Sequence, residues 1–138
     1  MSEVVAAGDY ATARVAGGLV FTAGMTPRAH GGVLDPGRVE EVGAARAREL
    51  AGLAASRAVT AAHEAAVAAG FSLDSAVSLT VYLRTAADFT GHSAIADGAT
   101  ETLRAALGGP APARAAIGVT SLPAGAAVEV SAVFTTHG

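Results

Sequence analysis

An arginine and a glutamate stand out in a chain that is sparing with charge: only 15% of the 138 residues are Asp, Glu, Lys or Arg. Arg114 follows Pro112-Ala113 and opens a short apolar run. Glu129 lies between Val128 and Val130, just after Leu122-Pro123-Ala124-Gly125. A guanidinium is permanently cationic and forked, so it suits a planar carboxylate ligand. A carboxyl flanked by valines can be buried, and burial raises its pKa toward the range useful for proton transfer. The turn residues between the two predict a β-hairpin that brings arginine and carboxylate near each other. An ion pair with a surface acid is the structural alternative for Arg114. For Glu129 it is a solvent-facing strand position, pointing away from Val128 and Val130.

Other chemistries find little support. There is no cysteine, which removes disulfides, thiolate catalysis and Cys-type zinc sites. His30, His63, His92 and His137 show no i, i+4 pairing and no acidic companion at ligand spacing, so no metal ion is expected. His30 falls in a loop that could border a cleft, and His92 reads as a helix-surface residue. Ser56, Ser72 and Ser121 lack a nucleophile-elbow context. Gly31-Gly32 is not followed by Lys-Ser/Thr, which rejects a phosphate loop. Net charge is −3 and no Lys/Arg-rich block exists, so the electrostatic footprint of a nucleic-acid binder is missing. The alanine-rich middle is broken by Arg46, Arg48, Glu49, Arg57, His63 and Glu64, which argues against a membrane span. Met1-Ser2-Glu3-Val4 has no basic flank or apolar core of signal type. A cytoplasmic protein is the expectation.

Length sets one domain over 1–138 as the expectation. A 51% hydrophobic fraction excludes a disordered chain. Much of that fraction is alanine, and aromatics are 4%, so a monomer's core would be thin. Either copies of the chain cover each other's apolar surface, or the alanine is a compositional habit. Thr12 to Val15 and Leu19 to Ala23 predict two strands joined at Gly17-Gly18. Pro27 to Gly37 reads as a loop. Glu40 to Ala69 is rich in helix formers, weakened by Gly43 and Gly52; two pieces are expected, the second from about Leu53, with Gly70 as the stop. Glu40-Glu41 and Arg46, Arg48 and Glu49 read as a solvated face. Ser75 to Arg84 alternates as a strand, with Val77, Leu79, Val81 and Leu83 on one side. Asp88 can cap a second helix ending near Gly108-Gly109, with Phe89, Ala96, Leu103 and Leu107 on one face. Ala115 to Thr120 and Ala126 to Thr135 close the chain as the hairpin. The class is α+β in the order β-β-α-β-α-β-β, with both helices on one face of a mixed sheet and the other face left for a neighbour.

This order, with its motifs, resembles the RidA (YjgF) family of enamine/imine deaminases. The matching pieces are Gly8-Asp9-Tyr10, Leu19-Val20-Phe21-Thr22-Ala23-Gly24, Ala68-Ala69-Gly70, Thr80-Val81-Tyr82-Leu83 with Ala87-Asp88-Phe89, and Pro112-Ala113-Arg114. The most specific is Leu122-Pro123-Ala124-Gly125-Ala126-Ala127-Val128-Glu129-Val130. Nearly the whole chain is covered, apart from an apparent insertion around Glu41 to Gly52. The resemblance implies a chorismate-mutase-like fold and a homotrimer with active sites between subunits. It implies hydrolysis of 2-aminoacrylate-type enamines and their imine tautomers to a 2-keto acid and ammonia, with no cofactor. It assigns Arg114 to the substrate carboxylate, Glu129 to the positioning of water and Tyr10 to the cleft wall.

The departures bear on substrate. Ala23 stands where relatives often have Ser, Met25 where they have Gln, Ser93 where they have Asn, and Ala116 where they have Cys. Asp9 replaces a frequent proline. The charged pair survives while its surroundings become more apolar, which points to a bulkier, pathway-specific imine. Hydrolysis of an iminium needs a held substrate, a water at the C=N carbon and a proton for the leaving nitrogen. An arginine fork and a carboxylate of shifted pKa provide these. The alternatives are a biosynthetic relative performing an imine condensation, cyclisation or tautomerisation, and a non-catalytic trimer that binds a small carboxylate. Ribonuclease action is disfavoured by the acidic balance.

Overall fold

Alanine sets how closely the layers of this protein approach. In the computed structural model, which describes residues 4–138, the long helix α2 (Ala44–Ala68) lays Ala51, Ala54, Ala55, Ala58, Ala62 and Ala66 against the sheet, all fully buried. Met1, Ser2 and Glu3 of the N-terminal segment lie outside the described residues. Each buried methyl contributes about 0.8 kcal/mol, against about 1.5–3 kcal/mol for a leucine. The gain therefore comes from the number of close contacts rather than from side-chain size. The break in the helical tract falls at Gly43, earlier than the expected Leu53: α1 (Val39–Val42) ends there because Gly43 has φ 92°, outside helical space. Gly52 stays helical because helix α3 (His92–Leu107) crosses α2 there. A Cβ at Gly98 would run into the Arg48 carbonyl oxygen, and one at Gly52 would lie 2.8 Å from Thr102 Oγ1. Arg48 also donates to the Ala94 carbonyl (3.0 Å) and pairs with Glu101.

Strands β1 (Ala13–Ala16) and β2 (Leu19–Thr22) pair antiparallel around Gly17-Gly18, as expected. The stretch read as a loop contains a small hairpin, β3 (Arg28–Ala29) with β4 (Gly32–Val33). Strand β5 (Ser72–Arg84) shifts register between Leu73 and Ala76 and again between Ala76 and Ser78. These bulges turn Ala76 inward and leave Val77 exposed, so the predicted alternation holds only from Leu79 onward. Asp88 does not cap α3; its N-cap is Gly91, with no side-chain bond.

The final hairpin does not form. Strands β6 (Ala113–Val119) and β7 (Val128–His137) are separated by β5 in a sheet of order β1-β2-β7-β5-β6. β6 runs parallel to β5 on one side, and β7 antiparallel to it on the other. Burial decides the placement. β7 sends Val128, Val130, Ala132 and Phe134 into the core and belongs at the centre, whereas β6, with three alanines among its seven residues, buries little at the edge. Both α2 and α3 cover one face, meeting Val20, Leu79, Val81 and Leu83. The other face carries Phe21, Val133, Tyr82 and Ile117 among Ser78, Thr80 and Ser131, with Phe21 and Ile117 both more than 40% exposed. Among the described residues no helix is long and apolar enough to cross a membrane.

Candidate functional site

Register puts Glu129 opposite Tyr82, on the sheet face away from the helices. Its flanking valines turn to the other face, so they are not what buries it. The burial comes from the chain beyond β2. Met25 and Val130 exchange backbone hydrogen bonds (2.7 and 2.8 Å), which draws Gly24 alongside Glu129. A Cβ at position 24 would sit 2.6 Å from Glu129 Oε2, so a glycine leaves the space that the carboxyl occupies. Half-buried there, Glu129 has its pKa raised by loss of solvent.

The carboxyl opens into a cleft lined by Tyr10, Gly24, Met25, Thr26, Arg28, Arg57 and Pro123 among others, enclosing about 80 Å³. That is room for a ligand of a few heavy atoms within one chain. The Tyr10 hydroxyl accepts from the Ala7 backbone N–H (3.1 Å). Arg57 reaches the cleft from α2, and its Nη1 donates to the Thr26 carbonyl at 2.7 Å. Burial lowers the Arg57 pKa, and Arg28 nearby acts in the same direction. Among the described residues no group of His, Asp and Glu is arranged to hold a metal ion.

Arg114 stands elsewhere. It is level with Leu79 in the β5–β6 register, on the helix side of the edge strand. Its Nη1 donates to Asp97 Oδ1 (2.8 Å) and Thr100 Oγ1 (3.0 Å), and its Nη2 to Ser93 Oγ (2.9 Å) and the Ser93 carbonyl (3.3 Å). A second hollow, bordered by Asp97, Thr100, Arg104 and Pro112, adjoins it. The candidate residues thus divide. Tyr10, Met25 and Glu129 share one cleft, with Ala23 packed behind Met25 beside Ala58 and Ala61. Arg114 and Ser93 are bonded to each other on the opposite face, and Ala116 packs against the core. The expectation that one hairpin brings Arg114 near Glu129 is corrected: within one chain the sheet lies between them. His30 sits at the exposed tip of the β3–β4 hairpin, away from the cleft lining.

Sequence reasoning missed Gly24, Arg28 and Arg57 as site residues. Arg57 carried a signal. It falls on the stripe Ala54, Ala58, Ala61 at helical spacing, and a cation on the margin of a buried face needs a polar destination.

With this geometry in view, the comparisons give the family. The chain belongs to the Endoribonuclease L-PSP family, the RidA/YjgF group, whose model matches residues 1–135. A protein of unknown function from Agrobacterium tumefaciens is 26% identical, with a TM-score of 0.85 over 99% of this chain and 87% of its own. TdcF of Escherichia coli, solved with bound serine, is 22% identical with a TM-score of 0.68, covering 96% of this chain and 92% of its own. The YjgF gene product of E. coli is 19% identical with a TM-score of 0.64, again over 96% and 92%. No curated protein matches the chain.

Proposed function

We propose that this protein is a cytoplasmic hydrolase that converts a reactive enamine or imine bearing a carboxylate into the 2-keto acid and ammonia. The observation that carries this reading is the half-buried Glu129 carboxyl, its pKa raised, beside Gly24 in a small cleft that also holds Tyr10 and arginine. An enamine first takes a proton on carbon to become the iminium. Water then adds to the C=N carbon and gives one proton to Glu129. Glu129 returns that proton to the nitrogen of the carbinolamine. The C–N bond breaks as the C=O forms, and the hydroxyl proton leaves with ammonia as ammonium. A carboxyl of raised pKa suits both directions of this transfer near neutral pH.

The cleft volume favours a small substrate over the bulkier imine that Ala23 and Met25 suggest. Met25 fills space that a larger ligand would need, being almost wholly buried. TdcF, which shares the fold, holds serine, a ligand of similar size and charge. Arg114 borders the cleft of a neighbouring copy in a homotrimer. It lies on β6, a strand at the margin of the sheet with one edge unpaired, and such an edge is available to another chain. The ribonuclease activity in the family's description is not the favoured reading, because the chain has a net charge of −3 and, among the described residues, four of its nine arginines are paired with acids.

The test generates 2-aminoacrylate enzymatically from serine and follows pyruvate release. Wild type should exceed the rate without protein. Glu129→Gln and Gly24→Ala should each lose at least about tenfold while staying folded, a modest share of what a general acid–base group supplies. Equal rates with and without protein would eliminate the hydrolase.

A further inference from the structure

The two arginines nearest to the proposed chemistry are in opposite states. Arg114 has both terminal nitrogens donating twice, to Asp97, Thr100 and Ser93. A substrate carboxylate could take its fork only by displacing Asp97. Arg57 donates from Nη1 to a single backbone carbonyl. Among the described residues no carboxylate lies within ion-pairing distance of it. It is nonetheless half-buried at the wall of the same cleft as Glu129, with Arg28 adding positive charge beside it. A cation taken from water without a counter-ion is costly. The cost is offset when an anion binds, and an arginine with spare donors binds a carboxylate through two parallel bonds. Other cations on α2 do not have this character: Arg46 pairs with Asp35 and Glu49, and Arg48 with Glu101.

We propose that Arg57 binds the carboxylate of the substrate, so that one chain supplies both the acid-group anchor and the Glu129 carboxyl. This rests on the reading of the Glu129 cleft as the reacting site. It makes Arg57 a binding residue that selects acidic imines over neutral ones. Arg57 needs no exchange of partners to do so, whereas Arg114 does.

The test titrates wild type, Arg57→Gln and Arg57→Lys with pyruvate and with pyruvamide, its uncharged match, by NMR shift perturbation at low salt. Wild type should prefer pyruvate. Arg57→Gln should bind pyruvate at least tenfold more weakly and pyruvamide unchanged. Arg57→Lys should keep a preference for pyruvate at reduced affinity, because a point charge replaces a fork; it also carries the test if the glutamine variant folds poorly. Unaltered pyruvate affinity in a folded Arg57→Gln, or in Arg57→Lys no selectivity left to lose because wild type shows none, would overturn the assignment. Turnover of 2-aminoacrylate is read separately. Its absence in wild type would remove the hydrolase reading while leaving the affinity comparison to judge Arg57.

Discussion

Glu129 is held by an empty position as much as by its neighbours. The missing side chain at Gly24 gives the carboxyl its place, and the backbone pairing of Met25 with Val130 fixes the distance. Burial raises the pKa of Glu129 above its ordinary value of 4.5. The charged form is therefore disfavoured in the folded state. The stability this group gives is complete below the unfolded pKa and is lost as pH rises through the folded one. Glu129→Gln should accordingly melt higher than wild type at about pH 8, with the gap closing on acidification toward pH 4.5. Thermal melts across that range check the sign; a gap that widened on acidification would mean that the carboxylate is stabilised in its cleft. A site that costs stability at working pH is what a proton-transfer role predicts.

At the scale of elements, two glycines set the distance between α2 and α3. Gly98→Ala would gain up to about 1 kcal/mol in helix propensity. It would also drive a methyl into the Arg48 carbonyl, a backbone atom that cannot swing aside. Overpacking of this kind costs about 1–3 kcal/mol or more. We expect a lower melting temperature from Gly98→Ala, measured by circular dichroism, despite the better helix former. An unchanged or higher value would mean that the helices do not meet there. The crossing has a functional reach as well, since α2 carries Arg57 to the cleft and α3 carries Asp97, Thr100 and Ser93 to Arg114.

For the whole molecule, the sheet's uncovered face is the feature that most constrains assembly. Phe21 is exposed at a shallow groove lined by Ser78, Thr80, Ser131 and Val133, and Ile117 is exposed on the same face beside Tyr82. Large apolar side chains on one continuous face mark a surface for a partner. We expect a sedimentation mass near three times 13.4 kDa, shifted toward a single chain by Ile117→Glu. A wild-type mass of one chain would remove any contribution of Arg114 to a neighbour's cleft. Such a monomer would still present Arg57 and Glu129 together.

The sequence by itself determined the order of the main strands and helices, the two-glycine turn and the family motifs, and it singled out Glu129 as a candidate. These are local signals: alternation reports which face of a strand is buried, and glycine pairs report turns. It did not determine that β5 would lie between β6 and β7. Strands adjacent in sequence usually pair, and only the competition for the buried centre of the sheet moved β7 there and left β6 at the edge. That choice put β5 between Arg114 and Glu129, and the register of each strand put them on opposite faces. Tertiary structure alone then decided which cation shares the cleft with the glutamate, because Arg57 and Glu129 are far apart in the chain and line one cleft only through the segment that follows β2.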